Sequence, residues 1–169
     1  SGAGQWVAFS SRRIPDAEHA FRHSELYAAN VRTGEVRQLT HQSGASSGPL
    51  YSPDGRLIAY THADSVDHSA WAEGRIWMMN ADGSNAHAVT ASLDRPVSGV
   101  LWAPNGGGVY FNTQSEGSQN LYYASTSGQV RAVTTGTQVL NVTDLSRTGL
   151  AVGLRTTPMM PNDVVTFTL

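Results

Sequence analysis

Cysteine and lysine are both absent from this 169-residue chain. Without cysteine, disulfides and thiolate metal sites are excluded, and the redox compartment stays open. All 11 basic residues are arginine, a compositional bias to which no function is attached. Charge is scarce as well, with Asp, Glu and Arg making up 14% of the residues and a net charge of −2. That balance supplies no electrostatic pull toward nucleic acid or an anionic membrane surface. No apolar run approaches the roughly 20 residues of a membrane-spanning helix. No charged-then-apolar leader stands at the N-terminus, but the chain starts inside a repeat, so a removed leader would leave no trace. The expected setting is soluble, in a bacterial cytoplasm or periplasm, between which the sequence does not choose.

What the chain does have is glycine, 17 residues of it. Abundant glycine with little charge suits many short strands joined by tight turns, and the length suits one domain. The stretch Leu50 to Tyr60 is the clearest unit. Ser52-Pro53-Asp54-Gly55 reads as a turn: Pro53 fixes φ, Asp54 accepts from amides two residues on, and Gly55 takes a positive φ. Leu57, Ala59 and Tyr60 then follow in a short apolar strand. The unit recurs at Ser1–Gly4, at Ala103-Pro104-Asn105-Gly106 and at Ser146–Gly149. Its anchoring glycines, Gly4, Gly55, Gly106 and Gly149, are 51, 51 and 43 residues apart. Repeats of about 40–50 residues point to propeller-like arrays.

The strands expected are Gln5–Ser10, Glu25–Val31 and Glu35–Thr40; Gly48–Ser52, Arg56–His62, Arg75–Asn80 and Asn85–Thr90; Gly99–Trp102, Gly108–Thr113, Asn120–Ser125 and Gln129–Thr134; Val139–Leu145, Leu150–Thr156 and Val164–Leu169. Pro158 and Pro161 are expected to break the chain between the last two. Insertions fall at Ser11–Ser24, with a helical turn around Ala17–His23, at His62–Gly74, and more briefly at Gln114–Gln119. Two further anchors keep step. Leu26-Tyr27, Ile76-Trp77 and Leu121-Tyr122 open each third strand, and Leu39-Thr40, Val89-Thr90 and Val133-Thr134 close each fourth. Trp6, Trp77, Trp102, Tyr27 and Tyr110 are expected to pack between sheets.

Ser52-Pro53-Asp54-Gly55 followed by Leu-Ile-Ala-Tyr resembles the β-propeller blades shared by the TolB and prolyl oligopeptidase families. Leu93–Val97, Leu101–Gly106 and Val109–Phe111 look like late blades of bacterial acylaminoacyl-peptidase or dipeptidyl-peptidase-like members. Thr156-Thr157-Pro158 through Leu169 resembles the exit into their catalytic domain. Only Ser52–Gly55 keeps the whole Ser-Pro-Asp-Gly turn; Pro104, Asn105, Gly106 and Gly149 keep parts of it. The resemblance implies an all-β fold of about four antiparallel four-stranded blades, near 1–40, 48–90, 98–134 and 139–169, forming part of a larger propeller. It implies a segment without catalysis or cofactor. Its partners would be the remaining blades and an α/β-hydrolase domain, with peptides as substrates and self-association of the isolated segment at its open strand edges. A TolB-like protein-docking module is the alternative.

No Gly-x-Ser-x-Gly elbow is present, so no nucleophile is assigned. Asp16, Glu18, His19 and His23 form one loose metal-ligand grouping, and His62, Asp64, Asp67 and His68 another, each read first as unrelated side chains of an insertion. Neither has the acidic pattern of a calcium loop. Asn105–Gly108 precedes a strand, so it offers no helix N-terminus to a phosphate. A carbohydrate-processing propeller would need carboxylates at defined separations, and the acids are scattered. Asp94 and Arg95 lie in a connection between blades. They are either a local ion pair or a contact to substrate or the catalytic domain.

Overall fold

The computed structural model describes residues 4–13, 23–64 and 74–169. Ser1–Ala3 of the first turn, the helical turn and Asp16, Glu18 and His19, and Asp67 and His68 lie outside them. The described residues hold fourteen strands and no α-helix. They divide into two compact units, Ser1–Ala88 and Val89–Leu169.

The first unit contains two antiparallel sheets. One runs β1 (Trp6–Ser11), β2 (Glu25–Asn30), β3 (Val36–Gln38); the other runs β4 (Ala45–Tyr51), β5 (Leu57–Ala63), β6 (Arg75–Asn80), β7 (His87–Ala88). The middle strands are apolar on both faces, as strands covered on both sides must be. Leu26, Ala28, Leu39, Ile58, Tyr60 and Met79 form the core, with Trp6 and Trp77 packed on it.

The second unit repeats the plan. β8 (Val97–Trp102), β9 (Gly108–Ser115), β10 (Ser118–Ser125) and β11 (Val130–Ala132) form one antiparallel array; β12 (Val139–Leu145), β13 (Leu150–Thr157) and β14 (Met160–Thr168) form the next. A single parallel bridge, Gln119↔Val139, joins the two arrays. The first unit has the same joint, an isolated parallel bridge Ser24↔Ala45. Leu121, Leu140, Val142 and Ala151 make the second core, with Tyr110 against it.

The repeated turn is built by hydrogen bonds that the sequence motif supplies. Ser52 Oγ donates to Asp54 Oδ1 at 2.6 Å and accepts the Leu57 amide at 2.9 Å. The Gly55 amide closes on the Ser52 carbonyl at 2.8 Å, with Gly55 at φ +74°. The Ser52 hydroxyl, helped by the Arg56 amide, holds the Asp54 carboxyl below its usual range. At Pro104-Asn105-Gly106 the Asn105 side chain accepts the Gly107 amide at 2.9 Å. At Gly149 the Leu150 amide reaches Ser146 Oγ at 3.0 Å. The partial motifs keep the turn because some side-chain acceptor and the glycine stay in place.

Several boundaries differ from the sequence expectation for local reasons. Pro158 lies in the turn between β13 and β14, as expected, but Pro161 does not break the chain. Thr157 pairs with Met160 across a tight turn, and β14 begins four residues earlier than Val164. Pro161 is accommodated because the β13–β14 register shifts between Arg155 and Thr157, a bulge of the kind where a missing amide costs least. The Gln114–Gln119 segment is a two-residue hairpin turn between Ser115 and Ser118. Glu116 and Gly117 both take positive φ there, +51° and +76°. That geometry favours Asn-Gly, and an ordinary side chain in the left-handed region costs roughly 1–2 kcal/mol. Glu116→Asn is therefore expected to raise unfolding free energy by about 0.5–1 kcal/mol, read from urea midpoints; an unchanged midpoint would contradict it.

Candidate functional site

Two features of the repeat converge on a buried polar cluster in the first unit. The threonine that closes a fourth-strand segment clamps the start of the neighbouring third strand. Thr40 Oγ1 accepts the Leu26 amide at 2.9 Å and donates to the Glu25 carboxylate. In the second unit Thr134 Oγ1 accepts the Leu121 amide at 3.0 Å and donates to Asn120 Oδ1 at 3.0 Å. Glu25 is thus a buried acid whose proton-donating neighbours are Thr40 and, at 3.4 Å, His23 Nε2. Tyr60 is buried nearby with its hydroxyl unpartnered, and burial, with the Glu25 charge adding, pushes its phenol up to about 12.

Beside it, Ser46, His62 and Asp64 form a line. Ser46 Oγ lies 2.9 Å from His62 Nδ1, and His62 Nε2 lies 3.1 Å from Asp64 Oδ1. The carboxylate can only accept, so the neutral ring carries its proton on Nε2 and Nδ1 accepts from the Ser46 hydroxyl. The three residue types are those of a hydrolytic triad, but the arrangement does not serve nucleophilic attack. Ser46 is fully buried, so no acyl group reaches its oxygen,. Trp77 sits edge-on to the imidazole at 5.4 Å. The sequence grouping of His62 with Asp64 is therefore a real contact, used to fix a ring. Among the described residues no group of three or more His, Asp or Glu is placed to hold a metal ion.

Burial dominates the His62 ring and lowers its proton affinity, although Asp64 and Glu25 pull the other way. Below the ordinary imidazole value near 6.5 the unfolded chain takes up a proton that the folded cluster resists. Stability is thus full above that pH, declines as the pH falls through it, and levels off below the folded-state value. The slope is at most about 1.4 kcal/mol per pH unit. His62→Gln is expected to flatten it, measured as urea unfolding free energy at pH 8, 6.5 and 5.5; equal slopes for the two proteins would contradict the assignment.

A cleft of about 220 Å³ in the same unit is lined by Trp6, Arg37, Tyr51, Gly55 and Asp82. The Arg37 guanidinium lies 3.6 Å from the Trp6 ring centroid. Burial raises the Tyr51 phenol, against the pull of Arg37. An aromatic–arginine surface of this kind is the usual anchor chemistry of protein interfaces. Sequence reasoning placed Trp6 between sheets and missed Arg37, because the contact joins β1 to β3 across β2.

Asp94 and Arg95 lie in the connection between β7 and β8, Asp94 exposed and Arg95 half-buried. Among the described residues neither takes part in an ion pair. Ser52, Pro53, Asp54, Gly55, Pro104, Asn105, Gly106 and Gly149 lie in the connections between strands.

No family model matches the chain. Dipeptidyl-peptidase 5 of Porphyromonas gingivalis is 26% identical over 136 residues, covering 79% of this chain and 20% of that protein. The chain spans a fifth to about a quarter of the curated relatives it matches. The β-propeller domain of the trilobed protease from Pyrococcus furiosus superposes with a TM-score of 0.73 at 18% identity, over 96% of this chain and 49% of that one. The chain is built of β-propeller blades. TolB from Acinetobacter baumannii gives the same fold, with a TM-score of 0.70 at 18% identity over 98% of this chain and 39% of that one. The sheets β4–β7 and β8–β11 are thus four-stranded blades, and β1–β3 and β12–β14 are blades with three described strands. No described helix is long and apolar enough to cross a membrane.

Proposed function

We propose that these blades are the non-catalytic propeller segment of a serine peptidase and gate the access of peptides to a hydrolase domain. The observation that carries the reading is the sequence likeness to a dipeptidyl-peptidase over most of the chain, alongside the propeller of a protease. A rigid propeller channel selects by size, admitting short extended peptides and turning away folded chains. The partners are the remaining blades and an α/β-hydrolase domain. Asp94 and Arg95 contact the substrate or that domain, since they sit on an inter-blade connection with their charges unneutralised.

The test is peptidase activity of the protein that carries this segment, assayed on dipeptidyl and acylated-peptide substrates, with the segment alone as the inactive control. Arg95→Ala is expected to change unfolding free energy by no more than about 1 kcal/mol and to raise KM several-fold. An inactive full-length protein would overturn the reading. The second reading is a TolB-like docking module, favoured by the Trp6–Arg37–Tyr51 cleft. It predicts an inactive protein whose partner capture is lost on Trp6→Ala. A Gly-x-Ser-x-Gly elbow encoded downstream of Leu169 would favour the peptidase.

A further inference from the structure

A cross-strand aromatic pair recurs at the same level of three blades. Phe9 stands opposite Tyr27, Tyr60 opposite Trp77, and Phe111 opposite Tyr122. The ring centroids are 5.8, 6.4 and 6.1 Å apart. What covers the pair differs from blade to blade. In the first, the Arg13 guanidinium lies 5.8 Å from the Phe9 centroid and 5.7 Å from that of Tyr27, and Tyr27 is only 5% exposed. In the second, the His62 imidazole meets Trp77 edge-on. In the third, no arginine or histidine among the described residues lies against either ring, and Tyr122 is half-buried.

A cleft of about 380 Å³ opens beside Tyr122 instead. Ser118, Asn120 and Tyr122 alternate along β10 and so share a face of the sheet, and Ser115 stands opposite Ser118. Asn120 and Thr134 are already hydrogen-bonded to one another. The hydroxyls of Ser115, Ser118, Thr135 and Thr137, which also line the cleft, have no side-chain partner among the described residues. The one charged residue on this wall, among those described, is Glu116. Its φ of +51° costs a glutamate stability, and strain of this kind persists where the side chain has a use. The wall thus offers a carboxylate, hydroxyl oxygens and an aromatic face. A guanidinium matches all three: it is a planar cation with several N–H donors and no acceptor, and it stacks on aromatic rings. An anion would be repelled by Glu116, and a neutral group would leave its charge uncompensated.

We propose that this cleft is a subsite for an arginine side chain of a bound peptide. The guanidinium takes over Tyr122 the position that Arg13 takes over Tyr27. It donates to the Glu116 carboxylate, a charge-assisted contact, and to the hydroxyls beside it. The first blade supplies that cation from its own chain; the third leaves it to the ligand.

The probe is the blocked peptide acetyl-Gly-Arg-Gly-amide, which carries no free amine, titrated into the 169-residue chain while NMR follows the backbone amide shifts. The expected result is shifts confined to Ser115–Tyr122 and Thr134–Thr137. Replacing the peptide's arginine by citrulline, which keeps the shape and loses the charge, should weaken binding about tenfold or more, as should Glu116→Gln in the protein. Glu116 is exposed, so the variant keeps its fold. Glu116→Asn should weaken binding by a similar factor while raising stability, so that binding and folding move in opposite directions. The proposal is overturned if the arginine peptide shifts none of these amides, if the citrulline peptide binds equally well, or if Glu116→Gln binds as tightly as the parent. A lysine peptide of equal affinity would also overturn it, by showing that charge alone is recognised and not the planar group. Binding is read without peptide cleavage, so failure here leaves the gating reading untouched.

Discussion

Asn112→Ala is expected to lower the unfolding free energy by about 3–5 kcal/mol, because two buried backbone groups lose their partners at roughly 1–3 kcal/mol each and a third acceptor is weakened. Asn112 lies in β9 and is fully buried. No ladder joins β9 to β12, and the amide does that work instead. Nδ2 donates to the Val142 carbonyl at 3.0 Å and to Asn141 Oδ1 at 3.1 Å, while Oδ1 accepts the Val142 amide at 3.0 Å. Val142 is itself in the core of the second unit. Truncation leaves its amide and carbonyl without these partners inside the core of the second unit. Asn112→Asp separates the two halves of the argument. It keeps an acceptor for the Val142 amide but sets a carboxylate against a carbonyl, so it should be at least as damaging as alanine. Guanidinium denaturation and exchange of the Val142 amide report both effects. A loss below about 1 kcal/mol for Asn112→Ala would mean the joint is held elsewhere.

The second large effect is expected at Gly44. Its φ is +104°, and a Cβ placed there would sit 2.0 Å from the Ala63 carbonyl oxygen. That oxygen is backbone, at the first rung of the β4–β5 ladder where Ala45 pairs with Ala63. Relief requires strand separation at the end that also carries the Ser24↔Ala45 bridge and the Ser46–His62 bond. Gly44→Ala should therefore cost more than about 3 kcal/mol, combining left-handed strain with the clash. Gly48 is the control. It also has a positive φ, +60°, but a Cβ there meets nothing within 4 Å. Gly48→Ala should cost only about 1–2 kcal/mol. Equal losses at the two positions would show that backbone strain alone, and not the approach of β5, governs Gly44.

These two residues also show where sequence reading stops. Hydrophobic pattern and turn chemistry placed β6 and β12 to the residue, since Arg75–Asn80 and Val139–Leu145 carry local signals at both ends. The expected six-residue strand Asn85–Thr90 shrinks to His87–Ala88. Asn85 takes φ +56°, and in the first and third blades the Val/Leu-Thr pair turns its threonine hydroxyl to the neighbouring strand, so the recurring pair marks a clamp rather than a ladder end. His62 and Asp64, read first as unrelated side chains, are in contact; spacing shows proximity and not what fills the remaining valence. Ser46 and Glu25 were not singled out, since their partners come from other strands. Asn112 could have been flagged: a poor strand former beside Phe111 in an apolar run is a local conflict that usually has a long-range reason.

The two parallel bridges, Ser24↔Ala45 and Gln119↔Val139, carry a consequence for biosynthesis. Among the described residues every other pairing joins strands that are neighbours in sequence, and forms in roughly microseconds once both are available. Ribosomes deliver about 5–20 residues per second, so several seconds separate the emergence of successive blades. Each meander is thus finished long before the next exists. During that interval its joining strand waits with one backbone rung open and one apolar flank wet. The order of synthesis, more than the final packing, decides which surface a chaperone meets.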